Sequence, residues 1–147
     1  YLRYNMRSQI FAKALPLPLV YGALKRLELM RTQPQFKEKL WTITNALQSG
    51  LKEAGFEIGP TDSCVTPVYM NGSIPESTNL IFDLRENYNI FCSMVVYPVV
   101  PKGMIILRLI PTAVHTMEDV QYTIESFSKI VGKLKAGEYM SDKIASV

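Results

Sequence analysis

Tyr97-Pro98-Val99-Val100-Pro101-Lys102-Gly103 separates two apolar runs, Ile90 to Val96 and Met104 to Ile110. Both runs are rich in branched and aromatic residues, which suit a pleated, half-buried surface, so each predicts a strand. The segment between them, with two prolines and a glycine, predicts a stiff loop. Downstream the period changes. Val120, Ile124, Phe127, Ile130 and Leu134 recur at helical spacing and predict a core-facing stripe. Thr116, with Asp119 three residues on, signals the start of that helix as a capping box. Upstream, Asn71-Gly72 predicts a turn, followed by a helix from about Glu76 to Asn87 whose first carboxylate complements the helix dipole. Cys64 to Met70 reads as a strand interrupted by Pro67, which places it at a sheet edge or on a bulge.

Further upstream, Phe36, Leu40, Ile43, Leu47, Leu51 and Ala54 predict a second amphipathic helix, closed by Gly55 in the left-handed conformation. Leu19, Ala23, Leu27 and Met30 predict another over 19–31, set apart by Pro34. Pro16 and Pro18 oppose a helix across them and predict an extended segment entering a turn. The order is helix, helix, strand, helix, strand, strand, helix. It implies an α+β fold, a short sheet backed by helices, divided as 1–18, 19–136 and a polar, frayed tail over 137–147.

A chain of 147 residues suffices for one core without disulfides or metal. The net charge of +3 comes from scattered Lys and Arg, whereas a nucleic-acid surface needs a concentrated basic face; no nucleic-acid partner is expected. The longest apolar stretch, 90–100, is broken by Pro98 and is far short of the roughly 20 residues a membrane-spanning helix requires. Cys64 and Cys92 lack metal-ligand spacing and read as buried free thiols in a reducing compartment. No metal site, signal peptide, phosphate loop or nucleophile elbow is recognisable. The chain opens on Tyr1, and its first residues read like the middle of a longer protein.

Arg108 is the only charge in the run from Met104 to Leu109. Burying a guanidinium unpaired is costly, which leaves two readings open: a solvated strand face or an internal carboxylate partner, against a bidentate clamp for a ligand carboxylate. His115, the sole histidine, precedes the helix cap and reads as a hydrogen-bonding residue of that helix start. Lys13, between two alanines, reads as solvated.

The run Tyr97 to Gly103, followed by Leu107-Arg108-Leu109-Ile110-Pro111-Thr112-Ala113-Val114-His115-Thr116 and Glu118-Asp119, resembles the C-terminal signature of the α-oxoamine synthases, pyridoxal-phosphate enzymes of fold type I. Arg7-Ser8-Gln9-Ile10-Phe11-Ala12-Lys13-Ala14-Leu15-Pro16 resembles the segment leaving that family's large cofactor domain, with wording most similar to bacterial serine palmitoyltransferases. The resemblance implies the small C-terminal domain of such an enzyme, with a mostly antiparallel sheet, joined in the whole protein to an N-terminal large domain. It implies pyridoxal phosphate as cofactor, amino-acid and acyl-CoA substrates, a homodimer and a cytoplasmic location. The reaction implied is decarboxylative condensation of L-serine with palmitoyl-CoA to 3-ketodihydrosphingosine. Alternatives are a sister 8-amino-7-oxononanoate synthase or glycine C-acetyltransferase, or a non-catalytic binding module.

Residue by residue, Arg108 matches the family's substrate-carboxylate arginine. Ala12 stands where the family often has Ser or Thr reaching the cofactor phosphate, so that contact is lost or made by backbone. Asn89 stands where the family often has Gly, and Asn tolerates left-handed geometry. None of the lysines lies in the family's Schiff-base motif. This stretch alone is therefore expected to hold no catalytic residue, bind no cofactor and be inactive.

Overall fold

The computed structural model describes residues 1–12 and 14–140; Lys13 and the end of the predicted tail lie outside the described residues. The described chain divides into two units, residues 1–35 and 36 onward. The first contains two helical turns, α1 (Leu2–Asn5) and α2 (Arg7–Ile10), then α3 (Leu17–Thr32). The helical spacing over 19–31 was legible, but the start differs. Pro16 is the N-cap of α3 and Pro18 lies in its first turn, where a missing N–H breaks no hydrogen bond. No residue of α3 is buried within this chain.

The second unit takes up α4 (Gln35–Glu53) from its second residue, Phe36, and continues through β1 (Thr66–Asn71), α5 (Ile74–Tyr88), β2 (Ser93–Val95), β3 (Met104–Leu109) and α6 (Met117–Lys135). This is the expected α+β order. The strands form an antiparallel sheet in the order β1-β3-β2, so the Pro67 strand lies at an edge. Side chains alternate across β3. Ile105, Leu107 and Leu109 point into the core, where Val68, Leu80, Leu84, Phe127 and Ile130 meet them fully buried. Ile43, Leu47 and Leu51 bring α4 into the same core. The Phe127 ring meets Phe56 edge-on, with centroids 5.9 Å apart at 73°, a geometry that adds to its burial.

Local chemistry sets the element ends. Gly55 has φ +86° beyond α4, and Asn89 caps α5 at φ 53°, ψ 29°. Asn89 is the one non-glycine residue at positive φ among the described residues, in keeping with its reading as a glycine substitute. Thr116 and Asp119 form the expected capping box on α6, and Ser73 with Glu76 forms a second on α5. The second box starts that helix before Glu76. Its hydrogen bonds from the Ser73 side chain and backbone hold the Glu76 carboxyl below the usual range.

Three further expectations of the second unit need correction. The strand expected over Ile90–Val96 is paired only at Ser93–Val95, because the Ile90 N–H donates to Leu84 O at 2.9 Å to finish α5. The strand expected from Cys64 starts at Thr66, because Val65 N donates to Ser63 Oγ at 3.1 Å in a local turn. Of the tail read as frayed over 137–147, the described part, 137–140, is anchored: Tyr139 is buried, and Asn79 Nδ2 donates to its carbonyl at 3.0 Å. Its hydroxyl donates to Asp83 Oδ2 at 2.5 Å, where Lys133 Nζ also donates at 2.7 Å, while Asn87 Nδ2 donates to Oδ1 at 2.6 Å. Sequence period carries no sign of this polar knot between α5 and the far end of α6.

Candidate functional site

Because Leu107 and Leu109 face the core, Arg108 must face the other way, and it is exposed on the face of the sheet away from the second unit's core. Register places Ser93 opposite it on β2 and Pro67 opposite it on β1. Val95 and Ile106 pair beside Ser93 and Arg108, and Tyr69 pairs with Ile106 from the other strand. The result is a half-buried, mainly apolar surface carrying one guanidinium near the middle. Arg108 Nε donates to Ser93 Oγ at 3.1 Å. It has no carboxylate within ion-pair distance among the described residues. The internal-carboxylate reading is thereby set aside. What remains is a solvent-facing cation, its Nε engaged and its two terminal nitrogens directed to no protein partner among those residues. A planar fork of that kind matches a carboxylate.

Ala12 lies in the first unit, exposed just beyond α2, and its N–H donates to Gln9 O at 3.3 Å. His115 sits in the turn before α6. Its Nδ1 accepts the Thr112 N–H at 2.9 Å. It serves the approach to the helix start, as expected, and lines a cavity of about 350 Å³ with Leu47, Tyr88, Leu109 and Asp119. Asp119 is held below the usual carboxylate range by hydrogen bonds from the Thr116 backbone and side chain. Arg108 does not line this cavity.

Cys92 is buried, and burial pushes its thiol up to about 11; Cys64 is only half-buried, against expectation. Among the described residues no cluster of three or more His, Cys, Asp or Glu is placed to hold a metal, and no helix is long and apolar enough to cross a membrane. The residue that sequence reading missed is Ser93. Its signal was faint: counting outward from the 97–103 loop places it within one residue of its true partner.

The three-stranded antiparallel sheet backed by helices matches, in fold, the small C-terminal domain of fold type I pyridoxal-phosphate enzymes. No family model matches the chain. Over 139 residues it is 60% identical to a cysteate-C-fatty acyltransferase of Capnocytophaga ochracea, covering 95% of the chain and 33% of that relative. It is 30% identical over 130 residues to a serine palmitoyltransferase of Sphingobacterium spiritivorum, covering 88% of the chain and 32% of that protein. Among solved structures, a serine palmitoyltransferase from S. paucimobilis, with pyridoxal phosphate and myriocin, superposes with a TM-score of 0.75 at 26% identity. That match covers 88% of this chain and 33% of the other. The chain belongs to the α-oxoamine synthase family and spans about a third of the length of the curated relatives it matches.

Proposed function

We propose that the whole protein is a pyridoxal-phosphate-dependent C-acyltransferase in which Arg108 binds the α-carboxylate of the amino-acid substrate. The supporting observation is the placement of Arg108 inside the family-like signature as the lone cation on the outward face of the middle strand, without a carboxylate partner among the described residues. In this reaction the amino acid's Cα attacks an acyl thioester, the Cα–carboxylate bond breaks to release carbon dioxide, and the thiol departs. The cofactor supplies the electron sink. Ala12 does not offer the cofactor's phosphate a contact, because it has no hydroxyl and its N–H is turned to Gln9. This chain instead contributes orientation. Two parallel hydrogen bonds to a carboxylate fix which bond at Cα stands ready to break.

For the amino acid, the 60% identity to a cysteate acyltransferase, against 30% to a serine palmitoyltransferase, favours L-cysteate over L-serine, with a fatty acyl thioester as donor. The serine and palmitoyl-CoA reaction is the second reading. Cysteate carries a sulfonate besides its carboxylate, and Arg108 is the only cation on this sheet face among the described residues. The sulfonate is then met by other residues of the whole protein. A homodimer in the cytoplasm completes the proposal.

The test is Arg108→Ala in the whole protein, with L-cysteate and L-serine binding followed by the cofactor's absorbance. Losing a charge-assisted bidentate pair of about 3 kcal/mol weakens binding roughly a hundredfold. Unchanged affinity for both amino acids would remove Arg108 from the site. Product analysis with a panel of acyl-CoA donors separates fatty acyl transfer from the shorter-chain sister reactions.

A further inference from the structure

We infer that Ser93 is a positioning residue for the carboxylate clamp: it holds Arg108 by Nε, so that only the two terminal nitrogens are presented to the ligand. This rests on the carboxylate-binding reading of Arg108. An exposed arginine has rotatable bonds along its whole stem and two ways to grip a carboxylate, end-on through both Nη atoms or side-on through Nε and one Nη. Register decides between them. Ser93 and Arg108 are directly opposed on β2 and β3 and project from the same face, where paired Cβ atoms are about 5 Å apart. Arg108 Nε donates to Ser93 Oγ at 3.1 Å, which occupies the side-on edge. A serine hydroxyl accepts without competing for the ligand as a carboxylate would, and it adds no charge that would neutralise the guanidinium. Pro67, opposite on β1, has no side-chain polar group to draw the fork to the other edge. The guanidinium plane is thus fixed before the ligand arrives, and the ordering cost is not incurred on binding.

The experiment uses the whole protein with cofactor bound and reads amino-acid affinity by calorimetry alongside steady-state kinetics. Ser93→Ala weakens L-cysteate and L-serine binding roughly five- to tenfold and raises the amino-acid KM while leaving the acyl-donor KM and the melting temperature unchanged. Ser93→Thr, which keeps the hydroxyl, restores affinity. In an Arg108→Lys background, which keeps the charge but has no Nε–H, Ser93→Ala has no further effect. Unchanged affinity in Ser93→Ala, while Arg108→Ala loses binding, overturns the role of Ser93 and leaves the Arg108 reading intact. An equal loss in the Arg108→Lys background, or a change in melting temperature or acyl-donor KM, also overturns it. Unchanged binding in Arg108→Ala removes the Arg108 reading and this inference together.

Discussion

Replacing Asp83 with alanine tests whether the polar knot at the end of α6 holds the second unit together. Its side chain is 11% exposed and accepts from Lys133, Tyr139 and Asn87. Burial alone would push the carboxyl up, but the bonds from Lys133, Tyr139 and Asn87 outweigh it and hold Asp83 below its ordinary value of 3.8. A hydrogen bond to a charged group contributes about 1.5–3 kcal/mol, and a donor stranded in the interior costs about as much again. Lys133 and Asn87 regain water when released, whereas the Tyr139 hydroxyl stays covered. The expected loss is therefore about 3 kcal/mol, or roughly 6–12 °C in Tm for a domain of this size. Urea and thermal unfolding followed by circular dichroism measure it. Tyr139→Phe should lose about half as much. The sign with pH follows from the depressed folded value: the contribution is full above 3.8 and is lost as pH falls below it through the folded value. Asp83→Asn should accordingly flatten the acid limb of the stability profile. A loss below about 0.5 kcal/mol for Asp83→Ala, typical of a surface residue, would refute the assignment.

Other outcomes follow from single positions. Phe127→Ala removes a fully buried ring stacked edge-on against Phe56 and should cost about 3–5 kcal/mol by chemical denaturation. Asn89→Ala places a Cβ-bearing residue without a compensating side chain at φ 53°; it should lose about 1 kcal/mol in a thermal melt, while Asn89→Gly should be neutral or slightly stabilising. Ser73→Ala breaks the capping box of α5 and should lower stability by about 1 kcal/mol, read by urea unfolding. With Ellman's reagent at mildly alkaline pH, Cys64 should react in the folded chain. Cys92, its thiol pushed up to about 11 by burial, should react only after unfolding; equal rates would contradict its placement.

Much of the fold was legible because it rests on local chemistry. The α4 and α6 stripes, the Thr116 capping box and the left-handed turn at Gly55 are each specified within a few residues of chain, whereas the turn at Asn89 was read through the family resemblance. The limits of β2 were not legible, since whether Ile90 joins a strand or closes a helix depends on a carbonyl at Leu84, and its side chain suits either. The Asp83 knot joins residues 50 and 56 positions apart, and no periodic signal connects them. At the candidate site, Arg108 stood out because a charge in an apolar strand is unusual. Ser93 did not stand out, because a serine near a strand end is commonplace until register gives it a partner. Ala12 took its meaning entirely from the family resemblance.

The middle strand carries one more consequence. β3 is bonded on both flanks, and its side chains alternate between the interior and the outward face of the sheet. A shift by a single residue would turn Leu107 and Leu109 outward and drive the guanidinium against Leu80 and Leu84. Such a chain would lose the carboxylate grip proposed for Arg108 and its oily interior in the same step. On the proposed role of Arg108, ligand binding is therefore an assay of correct assembly: a molecule that held a carboxylate there would, by that fact, have paired its strands in the right frame.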